Sequence, residues 1–246
     1  MKDSIYPSWV LGHRGACAWA PENTLISIRR AAADGASMVE FDVQLTAEGR
    51  CVLMHDMTLD RTTDGSGPLS SAFLADISGL DAGGWFSDAF VGELVPTLEE
   101  VIDVALELDI GINVEMKTSP GREVETALVT IGALRAAWPA SLLRPILTSA
   151  DRTCLEVTAS LAGDWPKGLI AEDVPDDWQE IGESLRLEAF HLNEKSLCPE
   201  VLRQMNVAGY DVAAWTVNEI PRAEQLRKWG ISAIITDDPA LFQEAE

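Results

Sequence analysis

The chain of 246 residues carries 40 acidic against 18 basic side chains, a net charge of −22, with 47% hydrophobic residues. That is enough apolar material for one α/β barrel or two small domains, while the charge repels nucleic acid and anionic membranes over most of the surface. No apolar run reaches the roughly 18 residues of a membrane span, so polyanion binding and membrane insertion are set aside, while a phosphate substrate stays compatible with the charge if the few cations, or a metal, are concentrated in one cleft.

From the N-terminus, residues 1–8 hold an acid and a proline where a signal peptide needs a long apolar stretch. Cys17, Cys51, Cys154 and Cys198 are scattered without C-x-x-C spacing, which fits reduced packing residues better than a disulfide framework or a zinc site. Both features predict a cytoplasmic protein. Short runs rich in β-branched residues then alternate with segments of helical period. The predicted strands are residues 9–13, 38–43, 111–117, 144–149, 167–172, 188–193, 212–218 and 233–237. Eight parallel strands are the number that a closed (β/α)8 TIM barrel requires. A ninth run, 51–56, follows its predecessor too closely for a helical crossover. It is expected to fold back around Ala47-Glu48-Gly49-Arg50 as an antiparallel hairpin, with Asp42 nearly opposite His55.

Helix signals fit the same layout. Asn23 or Thr24 caps the first helix, and Thr97 with Glu100 forms a capping box for another helix that Gly111 ends. Asp238-Pro239 opens the last helix, and Gly35 and Gly230 stand where helices stop. Residues 57–96 have little period, hold Gly65-Ser66-Gly67-Pro68 and Gly83-Gly84-Trp85-Phe86, and read as a long excursion near the barrel mouth with a short helix near 71–79. The whole of 1–246 is expected to form one domain.

Within this frame, residues two apart on a strand share a face. Glu40 projects with Asp42, and Glu115 projects with Lys117. Charges on an inward barrel face are costly unless they lie at the C-terminal rim. Three carboxylates converging there make an all-oxygen site for a hard divalent cation, magnesium or calcium. Each carboxylate ~5 Å from a phosphate would repel it by roughly 3 kcal/mol at an effective dielectric of ~20, so a phosphate could bind only with a cation between them. His13 and His55, each closing a strand, suit a general base and a general acid. Arg14 offers a donor fork for phosphate oxygens and Lys117 a point charge. Glu22 is placed to brace Arg14 or the metal ligands, and His191 is expected to be structural. Trp215 at a strand end, like Trp85 and Phe86, suits either a pocket wall or the core.

The succession His13-Arg14-Gly15, Pro21-Glu22-Asn23-Thr24, Glu40-Phe41-Asp42, His55-Asp56, Glu115-Met116-Lys117, Trp215-Thr216-Val217-Asn218 and Ile235-Thr236-Asp237 closely resembles the glycerophosphodiester phosphodiesterase family over nearly the whole chain. With Phe190-His191-Leu192-Asn193 it is most similar to the cytosolic bacterial branch associated with glycerol-phosphate uptake. The resemblance implies a barrel shared with phosphatidylinositol-specific phospholipase C, and cleavage of glycerophosphodiesters to sn-glycerol 3-phosphate and an alcohol. It implies Glu40, Asp42 and Glu115 as ligands of one divalent cation, Mg2+ or Ca2+. It also implies His13 as base and His55 as acid, and Arg14 and Lys117 on the phosphate; the mechanism expected from these roles runs through a cyclic glycerol phosphate opened by water. The substrate is then a small molecule, with no nucleic-acid partner and no stable membrane association. Two other readings compete. A phospholipase acting on intact lipid needs a basic or amphipathic docking segment that this acidic chain lacks, and a non-catalytic metal-binding protein has no use for both histidines.

Overall fold

Strict alternation along short strands decides the architecture, because one face of each parallel strand meets the barrel interior and the other meets a helix. The computed structural model describes residues 4–243. Residues 1–3 and 244–246, the ends of the expected domain and part of the N-terminal segment read above, lie outside the described residues. The strands are β1 (Val10–His13), β2 (Met38–Leu45), β3 (Cys51–Leu53), β4 (Gly111–Met116), β5 (Ile146–Ser149), β6 (Lys167–Ala171), β7 (Ala189–Asn193), β8 (Asp211–Trp215) and β9 (Ala233–Thr236). The helices are α1 (Leu25–Ala33), α2 (Leu74–Ile77), α3 (Leu98–Leu108), α4 (Glu123–Ala137), α5 (Arg152–Leu161), α6 (Trp178–Ser184), α7 (Pro199–Val207) and α8 (Ile220–Trp229). The parallel strands run β1-β2-β4-β5-β6-β7-β8-β9, and β9 returns to pair with β1, closing the (β/α)8 barrel.

Val39, Phe41 and Val43 of β2 and Ile112, Val114 and Met116 of β4 face outward into the apolar layer beneath α1, α3 and α4. The lower interior is plugged by Tyr6, Leu11, Met38, Ile146, Ala189, Ala213, Ala233 and Ile235. The inward carboxylates Glu40, Asp42 and Glu115 lie above this plug, while the inward Asn113 and Thr148 are fully buried and bond each other.

The observed strands mostly begin or stop one to three residues inside the predicted runs, which leaves Lys117, Asn218 and Asp237 just past the last ladder position. The hairpin register also differs from expectation. β3 pairs with the edge of β2 that β1 vacates after Glu40, in the register Val43 to Leu53, Gln44 to Val52 and Leu45 to Cys51. The main-chain carbonyl of Asp42 accepts from Met54 N, so Met54 and not His55 lies across from Asp42. The cause is the turn. Thr46 N bonds Arg50 O and Thr46 Oγ1 accepts from Arg50 N, which centres the loop on Glu48.

Helix punctuation follows the sequence with two corrections. Thr24 caps α1, and Thr97 with Glu100 closes both bonds of a capping box on α3. Gly35 and Gly230 follow α1 and α8 at φ +87° and +90°. However, α3 stops at Asp109, itself left-handed at φ 54°, and Gly111 opens β4 instead. Among the described residues after β9, a 3-10 turn, Pro239–Phe242, stands in place of the expected helix, and Asp238 makes no side-chain cap bond. In the segment 57–96 the expected short helix is split, with a 3-10 turn at Leu69–Ser71 and the single turn α2, because Ala72 and Phe73 are extended. Val52, Met54, Leu59, Leu69, Ile77, Ala82 and Val95 give the segment its own apolar cluster. Among the described residues no helix is long and apolar enough to cross a membrane.

Candidate active site

The last inward positions of β2 and β4 create the charge centre. Register places Asp42 beside Glu115, and Glu40 stands two residues below Asp42 on the same face. One carboxylate oxygen from each of Glu40, Asp42 and Glu115 lies within 4.8 Å of the others. Burial, then the charges of Asp42 and Glu115, pushes the Glu40 carboxyl well above the usual carboxylate range. Burial and Asp42 likewise push Glu115 up to about 7. Burial acts on Asp42 in the same sense, but Arg14, Lys117 and His55 together hold it below its ordinary value. Two buried carboxylates and the part-exposed Glu115, against two nearby cations, form a hard, electron-rich donor set, and these residues fit one magnesium or calcium ion.

The two histidines are both tethered through Nδ1. His13 Nδ1 is 2.6 Å from Asp237 Oδ1, and His55 Nδ1 is 2.7 Å from Asp56 Oδ1. Each tether fixes the ring through Nδ1 and leaves Nε2 outside that bond, and both rings line one cavity. Burial, helped by Arg14 and Lys117, lowers the His55 pKa against the opposing pull of Asp42 and Asp56. Asp237 in turn accepts from Cys17 Sγ at 2.9 Å and from Asn218 Nδ2 at 2.6 Å. Against burial, these bonds and His13 keep it ionised.

Arg14 occupies a strained left-handed conformation at φ 51°. Its backbone N donates to Glu40 Oε2, and its carbonyl accepts from Asn23 N and Ser27 Oγ. Gly15, at φ +89°, follows because a Cβ there would lie 2.4 Å from Ser27 Oγ. The Arg14 side chain bonds Glu22 at 2.7 Å, and its Nε lies 3.2 Å from Asp42 Oδ2 as an ion pair without hydrogen-bond alignment. Lys117 Nζ stands 3.2 Å from Glu115 and 3.7 Å from Asp42. Arg61 clamps Glu22 and Asp56 together with four bonds of 2.7–2.9 Å. One charged chain thus runs from Arg14 through Glu22, Arg61 and Asp56 to His55.

A cavity of about 260 Å³ is lined by His13, Arg14, Glu40, His55, Glu115, Lys117 and Trp215 among others. Met57, at the start of the 57–96 segment, borders an adjoining groove with Glu115 and Lys117. His191 reaches the cavity floor but is buried, with Nε2 2.8 Å from the Tyr6 hydroxyl and its pKa lowered by burial to about 3. It is a neutral wall. Trp85 lies 41% exposed with Nε1 bonded to Ala82 O, and Phe86 packs edge-on against it, so neither ring enters the cavity.

The structure therefore gathers His13, His55, Arg14, Lys117, Trp215, Glu40 and Glu115 around one opening, with Asp42 buried beside the two glutamates, and adds residues that sequence reasoning left out. Asn23 serves as more than a cap candidate. At φ 56° it donates to Asp42 Oδ2 at 2.8 Å and accepts from Asp42 N, which aims that carboxylate. Asp237 and Asp56 stood in quoted motifs without a role, and Arg61 had no local signal at all. The cysteine reading is also corrected in part. All four thiols are free and Cys51 and Cys154 are buried, but Cys198 is exposed and Cys17 bonds Asp237.

Comparison with known proteins gives the family. Residues 13–241 match the Glycerophosphoryl diester phosphodiesterase family. A glycerophosphodiester phosphodiesterase of Caldanaerobacter subterraneus subsp. tengcongensis is 34% identical over 94% of either chain. The structure of an Oleispira antarctica phosphodiesterase in complex with the product sn-glycerol-3-phosphate superimposes with a TM-score of 0.95 at 34% identity, covering 99% of each chain. A Thermotoga maritima glycerophosphodiester phosphodiesterase is 25% identical with a TM-score of 0.78, covering 98% of this chain and 99% of that one.

Proposed function

The chain belongs to the glycerophosphoryl diester phosphodiesterase family, a family of hydrolases, and from that premise we propose that it cleaves glycerophosphodiesters to sn-glycerol 3-phosphate and an alcohol through a metal-assisted, two-histidine reaction. The observation that carries this reading is the pair of aspartate-tethered histidines facing one cavity across a trio of carboxylates. Glu40, Asp42 and Glu115 hold one divalent cation, magnesium or calcium, which when bound supplies positive charge to the phosphate and acidifies a substrate hydroxyl.

Arg14 and Lys117 bind phosphate oxygens, and Trp215 forms a wall of the substrate pocket. His13 Nε2 takes the proton of the glycerol 2-hydroxyl, whose oxygen attacks phosphorus. His55, protonated as the anionic substrate settles beside it, gives its proton to the departing alcohol oxygen. Water then opens the cyclic glycerol phosphate with the two roles exchanged. Asp237 and Asp56 hold the rings in place throughout. Residues 1–246 act as one catalytic domain, with 57–96 bordering the mouth. Four free thiols suit a reducing compartment, which supports a cytoplasmic enzyme acting on a substrate in free solution.

Incubation with glycerophosphocholine should release sn-glycerol 3-phosphate in the presence of magnesium or calcium and release none in excess EDTA, as followed by coupled oxidation of the product. Turnover that persists in EDTA would remove the metal from the scheme. A substrate lacking the 2-hydroxyl should bind and compete with glycerophosphocholine yet stay intact. Its hydrolysis at the normal rate would rule out the cyclic step.

A further inference from the structure

Cys17 takes no part in the reaction above, yet barrel closure sets its thiol into the tether of His13. Cys17 Sγ lies 2.9 Å from Asp237 Oδ1 and 4.0 Å from His13 Nδ1, and these two atoms are 2.6 Å apart. Sulfur, imidazole nitrogen and carboxylate oxygen thus form a second group able to converge on one ion, separate from the three carboxylates. The donor sets differ in kind. Oxygen alone suits magnesium or calcium, whereas one sulfur, one nitrogen and one oxygen suit zinc. Zinc bond lengths in a tetrahedron place such donors roughly 3.3–3.6 Å apart, so Asp237 Oδ1 must withdraw by about 0.7 Å from both His13 and Cys17, and Cys17 Sγ must close on His13 by about 0.4 Å. All three side chains are part-exposed, which leaves a path for the ion and for a water as fourth ligand.

We propose that Cys17, His13 and Asp237 form an inhibitory site for zinc or a similar thiophilic divalent cation. On binding, the Sγ–H bond breaks and its proton passes to solvent, the thiolate taking the metal. The Nδ1–H···Asp237 bond is replaced by a metal–Nδ1 bond, and the imidazole proton moves to Nε2. That tautomer has no lone pair at Nε2 for the substrate proton, so occupancy stops the reaction with the carboxylate site still loaded. This inhibition rests on the base role proposed for His13, whereas the binding itself does not.

The test uses the whole protein, reduced and saturated with magnesium, titrated with cobalt(II) as a spectroscopic stand-in and with zinc in the activity assay. The wild type and Cys198→Ser should develop a thiolate-to-cobalt charge-transfer band in the near ultraviolet, and Cys17→Ser should not. Cys17→Ser, whose hydroxyl still donates to Asp237, should keep its magnesium-supported turnover and need at least ten times more zinc for half inhibition. No band in the wild type, or a band that survives in Cys17→Ser, overturns the site. A band with zinc inhibition identical in both proteins overturns its link to His13. The band is readable even if no glycerophosphodiester is cleaved, so failure of the catalytic reading is seen separately.

Discussion

Replacing His13 or His55 with alanine should lower kcat by at least about a hundredfold while the melting temperature stays close to that of the wild type. The rate effect follows from losing a positioned acid or base, which contributes roughly 10²- to 10⁴-fold. Stability should hold because neither deletion strands a buried charge. Asp237 keeps its bonds from Cys17 and Asn218, and Asp56 keeps two from Arg61. His55 is also 34% exposed, so little packing is lost. The variants should separate when the leaving group is changed. A p-nitrophenyl ester departs without protonation, so if His55 is the acid, His55→Ala should recover most of its rate on that substrate while His13→Ala should not. Near-normal turnover of glycerophosphocholine by either variant would exclude that histidine from the chemistry, and a collapse of cooperative melting would assign the loss to folding.

Much of this site was legible because it depends on local period. Alternation alone put Glu40 with Asp42 and Glu115 with Lys117 on inward faces, and the strand count required a closed barrel. What stayed hidden depends on contacts between distant segments. Asp237 meets His13 across 224 residues, and Arg61 meets Glu22 across 39. No periodicity encodes such pairs. Asn23 was concealed differently: next to Thr24 at a helix start it satisfies a capping pattern, and only its left-handed backbone turns the amide onto Asp42. The hairpin slipped by one residue because Thr46 bonds Arg50 through both its backbone and its hydroxyl, a preference that composition does not rank. Cys17 looked like packing material until closure brought Asp237 to it.

Glu40→Gln should lower kcat/KM at fixed magnesium at least about a hundredfold, and in EDTA the variant should be as stable as the wild type or more so. The two effects share one cause. Glu40 is 4% exposed and lies among two further carboxylates, so its charge is both desolvated and repelled. A carboxyl whose pKa is raised by folding favours the folded state when protonated and opposes it as pH climbs above the ordinary carboxylate range. Near neutral pH the amide removes that opposition, and its oxygen can still accept from Arg14 N as Glu40 Oε2 does. With the metal present the comparison should reverse. A ligand that binds only the folded protein stabilises it by RT ln(1 + [L]/Kd), so loss of one of three ligands should shrink the rise in melting temperature on adding magnesium or calcium. Calorimetric melts of both proteins, with EDTA and with each ion, separate these contributions. Equal metal-induced shifts in wild type and Glu40→Gln would show that the carboxylate trio does not hold the ion, and would leave its buried repulsion without a functional reason.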